Sequence, residues 1–233
     1  MSGRLTDVAL RLREEFRRRG GSARFLLQQA TGGPLDTLIL TLLSQATNDG
    51  NASRAYAELR KRFPRWEDVL RADVDEIEDA IRVGGLGKSK ARRIKEILER
   101  LENERGELSL DFLKGLSVRE VMDYLTSFKG VGCKTAACVA LFALGLDAFP
   151  VDTHILRVAR RLGLVDPKAT AEKAQETLST GAPPGTNLEL HLLLIDHGRR
   201  VCRARRPRCG VCPLQAVCAA SNPAESGFST SPR

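Results

Sequence analysis

The chain has 233 residues, 42% of them hydrophobic, which is enough to bury a sizeable core in one domain or two closely associated ones. Its formal net charge of +8 favours a polyanionic partner such as nucleic acid, although charge alone is equally compatible with a merely soluble basic protein. The sequence contains no apolar run of about 18 residues and no secretory signal, so we expect neither a membrane span nor export. The expected location is cytoplasmic, and nucleoid-associated if the protein is prokaryotic.

Helix signals dominate the chain, and no stretch alternates polar and apolar residues as a half-buried strand would. Pro34 suits the first turn of a helix, and Gly106 is typical of a helix end. Ser117 and Glu120 form a capping box, and Asp152 is predicted to cap a later helix. Predicted helices cover residues 35–43, 51–63, 73–83, 89–104, 117–128, 134–144, 153–162, 169–178 and 188–201.

Two of these helices are joined by a short glycine-containing turn, Phe128-Lys129-Gly130-Val131-Gly132-Cys133. Glycines permit unusual backbone angles, and the unpaired amides at the start of the second helix can bind a DNA phosphate. Gly130, Val131 and Gly132 are therefore candidate DNA contacts, with an ordinary tight helix–helix turn as the structural alternative. A nucleotide-binding P-loop is excluded because Cys133, not glycine, precedes the lysine and no strand is predicted before the motif.

Lys134 lies just inside the second helix of this hairpin, and Asp152 lies at the start of the next helix. The helix dipole and partial burial both disfavour an ammonium at this position, which favours a neutral amine able to form a Schiff base with a sugar carbon. A carboxylate at Asp152 could stabilise positive charge that develops on the sugar as a base departs. Either residue alone is better explained as a phosphate-binding lysine or a structural cap, but the pair points to chemistry at a sugar carbon of DNA.

Four cysteines follow the spacing C-x6-C-x2-C-x5-C near the C-terminus: Cys202, Cys209, Cys212 and Cys218. Because they are close together and no secretory signal precedes them, they indicate a metal site rather than disulfides. A structural zinc usually shows two C-x2-C pairs, whereas four thiolates also suit a [4Fe–4S] cluster, and the spacing leaves both open. Arginines lie among these cysteines in a loop that the metal site would hold rigid. We interpret this loop as a phosphate-contacting surface, with these candidate contacts: Arg205, Arg206 and Arg208.

With these motifs the chain resembles the endonuclease III family, within the helix-hairpin-helix, Gly/Pro-Asp superfamily of DNA glycosylases. The resemblance covers residues 35–218 and rests on the hairpin, the lysine, the aspartate and the cysteines. It also rests on the segments Leu42-Leu43-Ser44-Gln45-Ala46-Thr47-Asn48-Asp49, Gly85-Leu86-Gly87-Lys88-Ser89-Lys90-Ala91, Val151-Asp152-Thr153-His154 and His197-Gly198-Arg199. The cysteine pattern is specific to this family, so the resemblance implies a [4Fe–4S] cluster rather than zinc.

The resemblance implies an all-α fold with two helical domains and a DNA-binding cleft between them. One domain is a helical bundle over residues 35–149 that carries the hairpin. The other combines an N-terminal helix within residues 1–34 with the C-terminal helices and cluster loop at residues 150–218. Residues 219–233 are expected to form a disordered tail.

The resemblance also implies an enzyme that flips a damaged base out of double-stranded DNA, removes it and cleaves the strand by β-elimination. Lys134 would be the Schiff-base nucleophile and Asp152 the essential carboxylate. Leu86 matches the residue that wedges into the base stack, and Gln45 belongs to the segment that fills the space left by the flipped base. The usual substrates of the family are oxidised pyrimidines such as thymine glycol, and the expected partner of this monomer is duplex DNA with damaged bases or abasic sites.

The chain departs from the family pattern around base recognition and strand insertion, at Ala46, Gly87, Phe128, Lys129 and Cys133. These departures bear on substrate range and rate more than on reaction type. Two alternatives stay open. One is a monofunctional glycosylase for another lesion, although the mismatch adenine glycosylase branch characteristically lacks the lysine. The other is a non-catalytic protein that binds damaged DNA.

Overall fold

A computed structural model of the chain describes residues 2–19 and 33–221, and within them the regular structure is entirely helical. The expected all-α fold is confirmed for these residues. The described residues divide into two compact units: one holds residues 33–146, and the other holds residues up to 19 together with those from 147 onward. The domain limits expected from the sequence, at residues 34/35 and 149/150, stay predictions.

Most helices lie within a few residues of their predicted bounds. In chain order the described α-helices are α1 (Ser2–Arg18), α2 (Pro34–Leu43), α3 (Asp49–Arg62), α4 (Trp66–Arg71), α5 (Val74–Ile81), α6 (Gly87–Arg105), α7 (Val118–Thr126), α8 (Cys133–Cys138), α9 (Thr153–Leu162), α10 (Ala171–Gly181) and α11 (Asn187–Arg200). The helix predicted over residues 134–144 differs, because α8 continues as a π-helical segment over Val139–Ala143. Such segments are rare and occur often near functional sites.

Local sequence signals account for several helix ends. The Ser117 hydroxyl accepts from the Glu120 amide at 3.3 Å, and the Glu120 carboxylate accepts from the Ser117 amide at 2.9 Å, so the predicted capping box is confirmed. Pro34 begins α2, and α6 ends at Gly106 with a φ of 67°.

Helix α2 is the centre of the unit formed by residues 33–146. Nine of its ten residues are buried, and it packs against α3, α6 and α8. Burial of this apolar helix contributes to the stability of the unit. It also fixes where the chain leaves α2, at residues 44–46, and where the hairpin before α8 begins.

The second unit is built on α11, which packs against α9 and α1. Arg13 on α1 makes a bidentate ion pair with Glu189 on α11, at 2.6 and 2.7 Å, so this N-terminal helix is anchored to the C-terminal part of the chain. Of the tail expected to be disordered, residues 219–221 pack here: Ala219 is buried, and the Ala220 amide donates to the Arg161 carbonyl at 2.9 Å. Residues 222–233 lie outside the described residues. In the described parts of the chain, no helix has the length and apolar character that crossing a membrane requires.

Candidate functional site

The hairpin between α7 and α8 has an unusual backbone angle at one of its two glycines. Gly130 has a φ of +84°, a conformation that L side chains rarely adopt. Gly132 has a φ of −89° and is the N-cap residue of α8, so its backbone does not use the freedom that a glycine permits. A Cβ built on Gly132 would meet no atom within 4 Å, which leaves open space beside the first amides of α8.

Val131, the third candidate DNA contact in the hairpin, has a buried side chain. Its backbone amide donates to the Phe128 carbonyl at 3.1 Å, so this amide is used inside the turn. Phe128 is buried as well, in edge-to-face contact with Tyr124, and the Arg100 guanidinium lies 4.6 Å from its ring centre. The departure from the family pattern at Phe128 is therefore accommodated by an aromatic cluster beneath the hairpin.

Lys134 is the second residue of α8 and is half-buried. This places the residue on the first turn, at the positive end of the helix dipole, as the sequence predicts. Thr135 and Cys138 on the same helix are buried and belong to the core, whereas Cys133 is half-buried beside the lysine.

Asp152 is half-buried and begins α9, where its Oδ1 accepts a 2.7 Å hydrogen bond from the Ile155 amide. The predicted N-cap is confirmed. Capping directs one carboxylate oxygen to the backbone and holds the side chain at the helix end. Lys134 and Asp152 belong to different units of the chain, and their catalytic pairing stays a prediction.

Helix α9 is also tied to the cysteine-containing segment. Arg157 Nη2 donates to the Gly198 carbonyl at 2.7 Å, and its Nε donates to the Cys202 carbonyl at 3.0 Å. The same guanidinium lies 3.2 Å from His154 Nδ1. Sequence reasoning did not identify Arg157, because its partners are backbone carbonyls and leave no pattern of side chains.

The four cysteines line one cavity of about 170 Å³. Burial, followed by the proximity of the other three thiols, raises the pKa of Cys212. None of the six cysteines, all of which lie in the described residues, is in a disulfide. Within residues 2–19 and 33–221, no group of three or more His, Cys, Asp or Glu side chains is close enough to hold a single metal ion. The four thiols nevertheless line a single cavity, and thiolates are the usual ligands of iron–sulfur clusters.

Two further side chains contact the cysteine sulfurs. Arg161 Nη1 lies 3.4 Å from Cys202 Sγ, and His197 Nε2 lies 3.7 Å from Cys212 Sγ. Burial lowers the pKa of His197 to about 4, so its imidazole is neutral near pH 7. Hydrogen bonds to cluster sulfurs are one means by which proteins adjust a cluster.

The arginines of the cysteine-containing segment are exposed, as the sequence predicts for Arg205, Arg206 and Arg208. Their backbone is held from α9, because Arg161 donates to the carbonyls of Arg203 and Ala204 at 2.7 and 3.2 Å. The segment therefore presents positive side chains on a constrained backbone, which suits phosphate contacts.

Gln45 and Leu86 occupy two loops of the other unit. Gln45 is half-buried, and its Nε2 donates to the Gly130 carbonyl of the hairpin at 3.3 Å. Its neighbour Ala46 is exposed with a φ of 53°. Leu86 has a φ of 51°, which is uncommon for a residue other than glycine, and its apolar side chain is 64% exposed.

Comparison with known proteins gives matches to both parts of the chain. Residues 39–184 match the family model of the HhH-GPD superfamily base excision DNA repair proteins, and residues 202–218 match that of the iron–sulfur binding domain of endonuclease III. A DNA glycosylase homologue of Arabidopsis thaliana is 48% identical over 165 residues, covering 71% of this chain and 56% of the relative. This chain thus spans little more than half the length of that relative. Endonuclease III of Sulfolobus acidocaldarius is 36% identical over 184 residues, covering 78% of this chain and 80% of the relative.

A solved structure of a trapped covalent intermediate of endonuclease III with DNA has the same fold. Its TM-score is 0.76 at 27% identity, over 95% of this chain and 98% of that one. With the match at residues 202–218, the cofactor is identified as a [4Fe–4S] cluster, and the four cysteines around one cavity are a suitable donor set for it. The chain therefore belongs to the HhH-GPD superfamily of base excision DNA repair proteins.

Proposed function

We propose that the protein is a bifunctional DNA glycosylase and abasic-site lyase that acts through a Schiff base on Lys134. The observation that carries this proposal is the position of Lys134 on the first turn of the helix that follows the hairpin. The solved relative, trapped as a covalent intermediate with DNA, supports the same chemistry. The proposed partner is duplex DNA containing a damaged base.

The reaction begins when the damaged nucleotide leaves the base stack, at a free-energy cost of about a few kcal/mol that is smallest at damaged pairs. As the bond between C1′ and the base breaks, the Asp152 carboxylate stabilises the positive charge that develops on the sugar. The departing base keeps the bonding electron pair and takes up a proton. Lys134 Nζ forms the new bond to C1′, and ring opening gives the Schiff base.

Strand cleavage follows from the Schiff base. Loss of a proton from C2′ supplies the electron pair that expels the 3′ phosphate oxygen, which breaks the C3′–O bond by β-elimination. Water then hydrolyses the imine and returns the free amine of Lys134. Every atom that reacts is supplied by the amine, the sugar, the base or water, and no redox partner is required.

DNA is held at two places in this proposal. The first amides of α8 take a phosphate beside Gly132, where a glycine leaves open space. Arg205, Arg206 and Arg208 supply positive charge from the cysteine-containing segment. The cluster, when bound, supplies the constraint that shapes this segment and takes no part in the reaction.

Oxidised pyrimidines such as thymine glycol are the proposed substrates. A monofunctional glycosylase for another lesion would release a base without forming a covalent adduct. A non-catalytic protein would bind damaged DNA and release nothing. Lys134 and Asp152 together favour the bifunctional enzyme over both.

Borohydride trapping tests the proposal. Purified protein would be incubated with duplexes holding one thymine glycol or one abasic site, beside Lys134→Ala and the matched control Lys129→Ala, which removes an exposed lysine of the same hairpin. We expect a trapped adduct and strand cleavage with the parent and with Lys129→Ala, and neither with Lys134→Ala. An adduct that persists in Lys134→Ala would refute the assigned nucleophile. Tight binding by the parent without any adduct on either duplex would refute the bifunctional mechanism for these lesions.

A further inference from the structure

Lys90 is a charged side chain in the core of the unit formed by residues 33–146. It is 2% exposed, and its ammonium donates to the carbonyls of Leu43 at 2.7 Å and Gly84 at 2.9 Å. Both partners are neutral backbone groups.

Burying an ammonium among neutral groups costs free energy. Desolvation lowers the pKa of Lys90, because removing an ammonium from water destabilises the charged form. Leu43 is the last residue of α2, where the helix dipole is negative, and this offsets part of the loss. Well-packed apolar side chains commonly replace buried ionic groups without loss of stability. Filling the space would therefore require only a side chain such as methionine.

The two carbonyls have one thing in common: each lies directly before a loop that is a candidate for contact with DNA. Leu43 precedes residues 44–46, and Gly84 precedes Gly85 and Leu86. Both loops contain a non-glycine residue with positive φ, Ala46 at 53° and Leu86 at 51°. Conformations of this kind persist only when their surroundings hold them.

A second side chain of α6 extends the same support to the hairpin. Arg93 Nη1 donates to Gln45 Oε1 at 3.3 Å. A Cβ on Gly130 would lie 2.8 Å from Arg93 Cδ, so the arginine packs directly on the hairpin backbone. Lys90 and Arg93 are three residues apart, which places them on neighbouring positions of one helix face.

We propose that α6, through Lys90 and Arg93, is the positioning element that holds the loop at residues 44–46, the loop at Leu86 and the hairpin in one arrangement. Lys90 binds the two loops to each other from inside, and Arg93 joins the first loop to the hairpin from outside. The three segments then present one fixed surface to a nucleotide that has left the stack. This role rests on the proposed function, since it concerns recognition of a base that has left the stack.

The test compares affinity for a duplex carrying a tetrahydrofuran abasic analogue with affinity for the undamaged duplex. The variants are Lys90→Met, Arg93→Met and the matched control Lys88→Met, which removes an exposed lysine from the same helix. We expect the ratio of the two affinities to fall on the order of tenfold in Lys90→Met and Arg93→Met, because small misplacements of such groups have large effects. Lys88→Met should keep the parental ratio. Circular dichroism and the visible absorbance of the cluster report whether each variant is folded.

The outcomes separate the two proposals. If the parent does not prefer the abasic duplex, the proposed function fails. If the parent prefers the abasic duplex and folded Lys90→Met has the same ratio of affinities as the parent, the positioning role is refuted. The proposed function stands in that case. If Lys90→Met does not fold, Arg93→Met alone tests the positioning role. The Arg93 side chain is half-exposed, so removing it leaves the core intact. An unchanged ratio in Arg93→Met would then overturn the inference.

Discussion

Asp152 is expected to have two separable roles, a structural one through its cap and a chemical one through its charge. Its Oδ1 accepts a 2.7 Å hydrogen bond from the Ile155 amide. Asp152→Ala removes this cap, which should lower the free energy of unfolding by about 1 kcal/mol. For a chain of this size that corresponds to a fall in Tm of about 2–4 °C. Asp152→Asn keeps an oxygen in the capping position, and asparagine ranks with aspartate as a cap. Its loss in free energy of unfolding should therefore be less than half that of Asp152→Ala.

The two variants differ in their expected stability but not in their expected rate of excision. Both variants lack the carboxylate that would stabilise positive charge on the sugar, so both should excise a base about a hundredfold or more slowly. Single-turnover excision from a thymine glycol duplex and thermal denaturation measure the two roles on the same preparations. A parental excision rate in Asp152→Asn would refute the electrostatic role. An equal loss of stability in both variants would refute the capping argument.

Three further outcomes follow from the geometry. Gly130→Ala should lower the free energy of unfolding by about 1–2 kcal/mol, because residue 130 has a positive φ and an added Cβ would clash with Arg93. Gly132→Ala should leave the free energy of unfolding almost unchanged in denaturant unfolding, yet weaken DNA binding in a filter assay. Burial lowers the pKa of Lys90 in the folded chain, so the free energy of unfolding should rise with pH between the folded pKa and the ordinary value of 10.5. Urea unfolding across that range should therefore show the stability of the parent increasing relative to that of Lys90→Met. Cys212→Ser should lose the visible absorbance of the cluster and much of the iron measured per chain.

The helices were predictable where side chains next to one another in sequence decide the backbone. The capping box at Ser117, the cap at Asp152 and the glycine after α6 each act within a few residues, and each was confirmed. The hairpin was less predictable, since its sequence does not say which glycine takes the positive φ. Gly130 takes it because the turn reverses there, and Gly132 already has the extended conformation of an N-cap.

The position of Lys90 in the helical pattern already indicates that its side chain is buried. The apolar stripe of α6 contains Ile94, Ile97 and Leu101, and Lys90 occupies the preceding position of the same stripe. A lysine on an apolar stripe indicates a buried amine, but its partners are backbone carbonyls of residues distant in sequence. Only the folded chain identifies them, and the same holds for the contacts of Arg157 and Arg161.

The contacts of helix α9 connect the cysteine-containing segment to the helix end at which Asp152 lies. Asp152 caps the first turn of this helix, while Arg157 and Arg161 further along donate to carbonyls of the segment that carries Cys202. The cluster constrains that segment, and the segment in turn supplies the acceptors that orient both arginines. In the proposed function, binding of the cluster would therefore order both the exposed arginines of the segment and the helix that begins at Asp152. If these arginines and Asp152 act on DNA as proposed, one cofactor orders both, and the proposed reaction requires no electron transfer to the substrate.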